Sequence, residues 1–396
     1  MLFNSYIYIL IVLPLTALIY FGLNRARFIV AAKGWLLVSS LFHYSYWNPK
    51  YLPLIMISMI GNYVIGNTLV KTHGSGMART RGWILFVGTT LNLAALAYYK
   101  YADFCIQNVN ILLGTELPLL KIVLPLAISF FTFQQIAYLV DSYRGETREY
   151  DFMNYCLFVT FWPQLIAGPI VHHKEMMPQF ARLRNKLFTH ENLARGLYVF
   201  SIGLFKKVIL ADTFSVWAAQ GFDKMASLTL VEAWAFSLSY TLQLYFDFSG
   251  YSDMAIGSAY MFNIKLPYNF NSPYKALNIQ DFWRRWHMTL SRWLRDYIYV
   301  PFGGNRAGRA RTYINLFLTF FLGGIWHGAG WTFVLWGAMH GFATVFHKAW
   351  SSLGLKVNKH IAWATTFLFV HFAWVFFRAK TLDCALFSGQ SEPVFV

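Results

Sequence analysis

The stretch FNSYIYILIVLPLTALIYFG, which occupies residues 3–22, contains no charged side chain. About 20 consecutive apolar residues are enough to cross the hydrocarbon core of a bilayer as an α-helix. The stretch has neither the basic start nor the small-residue cleavage site of a secretory signal peptide. We therefore expect a first transmembrane helix that stays in the mature protein.

Similar apolar runs follow along most of the chain, separated by short polar gaps. They cover residues 31–47, 51–70, 83–99, 117–140, 152–171, 196–218, 229–246, 251–264, 313–327, 331–348 and 361–378. Because backbone groups in lipid must be hydrogen-bonded internally, this pattern predicts an all-α polytopic membrane protein of about 10–12 transmembrane or re-entrant helices. The runs 251–264 and 313–327 and the run containing Pro163 are short or broken, which predicts half-helices or re-entrant pieces.

The composition agrees with a chain that lies largely in lipid. Charged residues make up only 13% of the 396 residues, whereas soluble domains carry about 25%. The formal net charge of +16 comes mostly from Lys and Arg in the polar gaps, where these residues suit topology signals and contacts with membrane lipid. We therefore expect no nucleic-acid partner.

Basic residues also indicate the orientation of the first half of the chain. They cluster after the first, third and fifth apolar runs, at Arg25, Arg27, Lys33, Lys71, Arg79, Arg81, Arg144, Arg148, Lys174, Arg182, Arg184, Lys186 and Arg195. All of them lie on one face if the N-terminus is outside and 152–171 is re-entrant, so we expect that face to be cytoplasmic. The gaps near Asn48–Lys50 and Lys100–Glu116 would then lie on the opposite side.

Two longer polar stretches stand out. Residues 172–195 can form a cytoplasmic interfacial helix, with Phe180, Leu183 and Leu187 on one side and basic residues on the other. Residues 268–312 form a cytoplasmic-side aromatic and basic region. Within it, a helix is predicted to begin at Asn278 and to end at Pro301. One stripe of that helix would carry Phe282, Trp286, Thr289 and Trp293.

The first candidate for chemistry is His327, in the segment LGGIWHGAGWTFVLWGAMHG at residues 322–341. Trp326 and Trp331 would wall it, and nearby glycines would allow close approach of a helix or ligand. Burial disfavours the charged form of histidine, which suits a general base near neutral pH. A packed histidine that is hydrogen-bonded to a neighbouring helix is the alternative.

The second candidate is His287, on a predicted helix face with Trp283 and Leu290. Arg284 and Arg285 lie nearby, and their guanidinium groups could hold the phosphates of coenzyme A or of a phosphopantetheine arm. Binding of lipid headgroups by these arginines is equally consistent with their spacing.

A third cluster is YFDFSGYSDMAIG, residues 245–257. Asp247 and Asp253 could pair with arginines, orient a histidine or line a water path, and structural pairing is the favoured role. Ser249 has no GxSxG elbow around it, so a serine hydrolase is not supported.

His340 and His347 are expected near helix ends. Because the sequence has neither HExxH nor Cys/His spacing, we expect no metal site.

These segments closely resemble the membrane-bound O-acyltransferase (MBOAT) family, in its bacterial branch of alginate O-acetyltransferase proteins. The resemblance is carried by FFTFQQIAYLVDSYRG at 130–145, FWPQLIAGPIV at 161–171, FDFSGYSDMAIG at 246–257, the region 269–304, LGGIWHGAGWTFVLWGAMHG at 322–341 and FAWVFFRA at 372–379. It runs through most of the chain in order.

The resemblance implies a single membrane domain, residues 1–396, with helices around a central tunnel in the bacterial inner membrane. His327 would be the catalytic histidine and His287 a second functional one. An acyl thioester such as acetyl-CoA would be the cytosolic donor, with no bound cofactor. Substrate contacts are expected from Arg284, Arg285, Trp286, Trp326, Asp247 and Ser249.

The acceptor would be a hydroxyl of an exported, alginate-like polysaccharide or an extracytoplasmic partner acetyltransferase, and polysaccharide export machinery would be a further partner. Acyl transfer to teichoic acid, peptidoglycan or cellulose, with D-alanine for teichoic acid, is an alternative. A transporter of polysaccharide or acyl carriers is another, and an inactive scaffold a third. Relatives of this branch continue past the WVFFRA segment, so the chain is expected to be C-terminally shortened.

Overall fold

The computed structural model describes residues 1–147, 151–224, 228–306 and 308–386. Within these ranges every regular element is helical, which confirms the predicted all-α architecture. The final ten residues, on which the expected C-terminal shortening depends, lie outside the described residues.

The helices cluster into two compact units. The first unit comprises Met1–Leu204 and Tyr251–Pro267, and the second comprises Phe205–Gly250 and Tyr268–Val396. Helices that begin in the first unit are α1 Leu13–Arg25, α2 Ile29–Ser45, α3 Leu52–Lys71, α4 Ala78–Leu113, α5 Ile128–Arg144, α6 Phe152–Thr160, α7 Trp162–Leu165, α8 His173–Ala181 and α9 His190–Phe205. Those that begin in the second are α10 Asp212–Ala219, α11 Leu230–Met261, α12 Ile279–Trp283, α13 Met288–Leu294, α14 Gly308–His327, α15 Trp331–Ser352, α16 Lys359–Arg378 and α17 Leu382–Ala385.

Four helical stretches are long and apolar enough to cross a bilayer, judged by length and composition among the described residues. They are Tyr8–Arg25, Pro49–Lys71, Ala78–Leu113 and Lys359–Arg378. The first of them joins a π-helical segment, Tyr8–Val12, to α1, and it contains most of the apolar run at residues 3–22.

The boundaries predicted around α4 and α5 are wrong. The supposed polar gap after residue 99 is helical as far as Leu113. The following segment is non-helical until Ile128, because the Asp103 carboxylate accepts hydrogen bonds from the backbone N–H groups of Leu120 and Ile122 at 2.7 and 3.2 Å. Prolines in this segment also cannot donate a helical hydrogen bond. The helix predicted to begin at residue 117 therefore begins eleven residues further along the chain, at Ile128.

The prediction that 251–264 is a separate short piece is also wrong, because α11 continues from Leu230 to Met261 without a break. The polar residues that suggested an interruption are accommodated in the helix. Asp247 forms an ion pair with Lys207 at 2.7 Å, and Ser249 is buried. Likewise, α14 begins at Gly308 and is 20 residues long, so 313–327 is not a short piece.

The run 152–171 is broken, as predicted. Its first helix, α6, ends at Thr160, and Phe161 leaves the helical conformation before the four-residue α7, which contains Pro163. In contrast, 172–195 is not one interfacial helix. The chain is extended at Arg182 and again at Leu187, so Phe180 is buried while Leu183 and Leu187 are largely exposed.

Candidate active site

Helices α14 and α15 bring the WHG segment into a tight crossing. A Cβ atom added at Gly324 would lie 2.6 Å from Gly337 Cα and from Phe333 O, and one added at Gly337 would lie 2.8 Å from Gly324 Cα. Only glycine allows backbones to approach this closely. The predicted close approach of a helix at Gly324 is confirmed, and the approaching helix is the next one in the chain.

His327 is the last residue of α14 and is half-buried. Its ring centroid lies 4.9 Å from that of Trp326, 5.0 Å from that of Trp336 and 5.2 Å from that of Phe377, in edge-on arrangements. Trp326 therefore walls His327 as predicted, but Trp331 is 57% exposed. Trp336 and Phe377, from α15 and α16, complete the aromatic wall.

His287 does not lie within a helix, so the single helix predicted from Asn278 to Pro301 is wrong. The Asn278 side chain caps the start of α12 as expected, accepting a hydrogen bond from the Asp281 backbone at 2.7 Å. Helix α12 nevertheless ends at Trp283 and α13 starts at Met288, with His287 between them at a φ of +43°. A positive φ is costly for a residue with a Cβ atom, and such strain concentrates at functional sites.

The loop that precedes α12 holds this break in place. Arg285 O accepts a hydrogen bond from Asn271 N at 2.9 Å, and Asn269 O accepts one from Met288 N at 2.9 Å. These bonds replace helical hydrogen bonds that the break removes. The side chain of Asn269, which is buried, also accepts from this region, and its oxygen lies 3.0 Å from His287 Nδ1.

The two candidate histidines influence each other electrostatically. Burial first, and the charge of His327 second, lower the pKa of His287 well below its usual range. The His287 ring contacts Phe248 with centroids 4.7 Å apart. His287 is therefore neutral at neutral pH and sits in an aromatic environment near His327.

A third histidine, His340, belongs to the same aromatic cluster. It lies in the middle of α15, not near a helix end as predicted, and it is fully buried. Its ring centroid lies 4.7 Å from that of Trp336, and its Nδ1 accepts a hydrogen bond from Trp283 Nε1 at 3.2 Å. Trp336 therefore contacts both His327 and His340.

The remaining expected contact residues are divided between core and surface. Trp286 is 4% exposed and packs against Trp374, with ring centroids 4.9 Å apart, so it contributes to the core of the site. Arg284 is exposed, whereas Arg285 is half-buried and its Nε lies 2.9 Å from the Asp281 carboxylate. The two arginines are thus accessible to different degrees.

In the YFDFSGYSDMAIG cluster, Asp247 forms an ion pair with a lysine, whereas arginines were the expected partners. Asp247 pairs with Lys207, and not with an arginine; Lys207 also lies 2.8 Å from Asp212. Ser249 is 1% exposed, and its hydroxyl has no hydrogen-bond partner within the described ranges. Among those same residues, no group of three His, Cys, Asp or Glu side chains could hold a metal ion.

Sequence reasoning missed Asn269, Trp336 and His340. Asn269 is the first residue of the region 269–304 that carries the family resemblance, but its contact with His287 joins residues 18 positions apart, with α12 between them. The spacing of Trp336 and His340, four residues apart on one helix, was a usable signal, because such residues share a helix face.

Comparison with known proteins identifies the family of the chain. The family description "MBOAT, membrane-bound O-acyltransferase family" matches residues 41–382. The chain therefore belongs to the MBOAT family, and it is a membrane O-acyltransferase.

Similar relatives include acetyltransferases of two polysaccharides. The chain is 49% identical to the "Peptidoglycan O-acetyltransferase" of Helicobacter pylori, over 98% of this chain and 78% of that protein. It is 41% identical to the "Probable alginate O-acetylase AlgI" of Pseudomonas putida, over 97% of this chain and 79% of that protein. It is also 32% identical to the "Teichoic acid D-alanyltransferase" of Bacillus subtilis, over 51% of this chain and 53% of that protein.

Proposed function

We propose that this protein transfers an acetyl group from a cytosolic thioester, acetyl-CoA, to a hydroxyl of a polysaccharide outside the bacterial inner membrane, directly or through an extracytoplasmic acetyltransferase. The observation that carries the proposal is His327, half-buried at the end of α14 within the wall of Trp326, Trp336 and Phe377. A half-buried imidazole can exchange a proton with a bound substrate, and the apolar wall together with the substrate excludes water from the site.

The reaction needs one proton acceptor and one activated carbonyl. His327 takes the proton of the acceptor hydroxyl as its oxygen attacks the thioester carbonyl carbon. The carbon–sulfur bond then breaks, and the departing thiolate takes the proton from the imidazolium. His327 thereby returns to its neutral form, and the products are an ester and a thiol.

The donor contacts are proposed for Arg284 and Arg285. Arg284 is exposed and so can meet a phosphate of the donor without first breaking a buried contact. Arg285 shares its guanidinium with Asp281, so it would contribute less to donor binding. Trp326 borders the reacting group, while Trp286 supports the wall behind it.

Peptidoglycan is the acceptor that the comparisons favour. The relative named for peptidoglycan is more similar to this chain than the relative named for alginate, at 49% against 41% identity with nearly equal coverage. Teichoic acid is the second candidate, since the relative named for D-alanyl transfer matches half of the chain.

The proposal is tested by expressing the chain and its His327→Ala variant in a host that lacks peptidoglycan O-acetylation. Muropeptides are then analysed by mass spectrometry, with membrane insertion checked by immunoblotting. We expect the variant to lose acetylation by about a hundredfold or more, because the proton acceptor is gone.

His360→Ala is the matched control, because His360 is exposed at the start of α16. The control should retain acetylation. Full acetylation in the His327→Ala variant would remove His327 from the chemistry, and D-alanyl esters in place of acetyl esters would identify the second candidate.

A further inference from the structure

A single buried amide oxygen makes three of the contacts that organise the helix break at His287. Asn269 Oδ1 lies 3.3 Å from Thr289 N, 2.9 Å from Thr289 Oγ1 and 3.0 Å from His287 Nδ1. Asn269 and Thr289 are both buried. The three contacts converge on one atom from the strained residue itself and from Thr289, the second residue after it.

These contacts determine which ring nitrogen of His287 carries the proton. The Thr289 backbone N–H can only donate, so the Asn269 atom that faces it must be the carbonyl oxygen and not the amide nitrogen. The oxygen can only accept, so His287 Nδ1 must be the donor. In the neutral ring Nδ1 therefore bears the hydrogen, and Nε2 bears the lone pair.

We infer that Asn269 is a positioning residue that holds neutral His287 in its Nδ1–H tautomer, so that Nε2 serves as a hydrogen-bond acceptor for a substrate hydroxyl. The inference of a substrate partner rests on the proposed acyl transfer. An Nε2 lone pair cannot donate a hydrogen bond to a developing oxyanion, so His287 does not stabilise the negative charge. It orients the acceptor through a hydroxyl other than the attacking one, whose single proton goes to His327.

Two features make this arrangement rigid. The backbone of the same asparagine accepts from Met288 N at 2.9 Å, so both its main chain and its side chain are tied to the break. The ring of Phe248 lies edge-on to the imidazole, at 4.7 Å between centroids. His327, the nearby titratable group on α14, disfavours a second positive charge at His287. The Asn269 contact selects the tautomer, while burial and His327 keep the ring neutral.

The tautomer is measured directly by solid-state NMR of the full chain, labelled with 15N and 13C in histidine and reconstituted in lipid. The His287 signals are assigned by their loss in His287→Gln. We expect a protonated Nδ1 and an unprotonated Nε2 in the unaltered protein. A protonated Nε2 there would overturn the inference, and this measurement needs neither a variant of Asn269 nor an active enzyme.

Two substitutions of Asn269 separate positioning from general structural support. Asn269→Asp keeps the accepting oxygen and should keep the Nδ1–H tautomer. Asn269→Leu keeps the volume without an acceptor, so the Nδ1–H signal should decrease in favour of Nε2–H. With acetyl-CoA as donor and soluble peptidoglycan fragments as acceptor, kcat should fall at least about tenfold in Asn269→Leu and recover in Asn269→Asp, with the KM for acetyl-CoA unchanged.

Asn271→Asp is the matched control, because Asn271 is exposed in the same loop and the substitution is identical. It should leave the tautomer unchanged. An unaltered tautomer in a folded Asn269→Leu protein would contradict the inference. Absence of acetyl transfer by the unaltered chain, with the Nδ1–H tautomer present, would contradict the proposed function and leave the positioning role of Asn269 intact.

Discussion

At the scale of single residues, hydrogen-bond partners determine the state of two of the buried histidines at the site. An indole N–H can only donate, so the bond from Trp283 fixes Nδ1 of His340 as an acceptor. Asn269 imposes the opposite tautomer on His287. These two imidazoles therefore differ in chemistry although both are almost fully buried. Burial is common to both rings, and only the hydrogen-bond partner explains which nitrogen carries the proton.

The bond between Trp283 and His340 predicts a loss of stability on Trp283→Phe. Nδ1 of His340 loses its donor inside the core, which costs about 1–3 kcal/mol, and the smaller ring leaves a cavity that adds to the loss. Reversible unfolding in SDS would measure the change. Trp363→Phe is the control, because Trp363 Nε1 donates to the Tyr274 carbonyl at an exposed position. An equal or larger loss for the control would contradict this account of the buried bond.

At the scale of helices, the geometry of the site depends on how closely α14 and α15 approach. The approach is set by glycine at the crossing, where a Cβ atom at position 337 would also lie 2.9 Å from Phe320 O. Trp336 is the neighbour of Gly337 and contacts His327. A change in helix separation is therefore transmitted to the wall of the reacting histidine.

Gly337→Val is accordingly expected to lower both stability and acyl transfer. The added methyl groups have to push the two helices apart, at a cost of about 1–3 kcal/mol or more, and Trp336 moves with its helix. Unfolding in SDS and the acetyl content of muropeptides would report the two effects. Gly61→Val is the control, since nothing lies within 4 Å of a Cβ atom added there. Comparable losses of stability and acyl transfer in both variants would show that helix separation does not cause them.

At the scale of the whole molecule, the apolar helices place the chain in a bilayer. The stretch Pro49–Lys71 contains 23 residues, and a helix of that length is about 35 Å long, enough to cross hydrocarbon about 30 Å thick. Lys50 and Arg79 are exposed near its two ends. Because basic residues concentrate after the third span, the positive-inside rule assigns Arg79 to the cytoplasm and Lys50 to the opposite side.

This orientation predicts different labelling of two introduced cysteines. Cys105, Cys156 and Cys384, the three natural cysteines, would first be replaced by serine. In intact spheroplasts, a membrane-impermeant maleimide should label Lys50→Cys, and it should label Arg79→Cys only after lysis. The reverse pattern would invert the topology, and labelling of both variants before lysis would exclude a span between them.

The apolar runs were sufficient by themselves to predict an all-α membrane protein, and the resemblance of several segments to the MBOAT family supplied the prediction of an acyltransferase. Hydropathy over about 20 residues is a local property, so the membrane class follows from composition within each run. The capping of α12 by Asn278 was equally local. The glycines of the WHG segment also indicated a close helix approach, although not which helix would approach.

Only the tertiary structure decided the break at His287, the continuity of α11 and which residues complete the site. The periodicity of 278–301 favours one helix, but the loop around Asn269 supplies hydrogen bonds that stabilise a break at His287. Likewise, α11 continues past Asp247 because Lys207 compensates the carboxylate. These outcomes depend on partners distant in sequence, whose hydrogen bonds and charges outweigh local preference, and they leave no signal in the pattern of the segment itself.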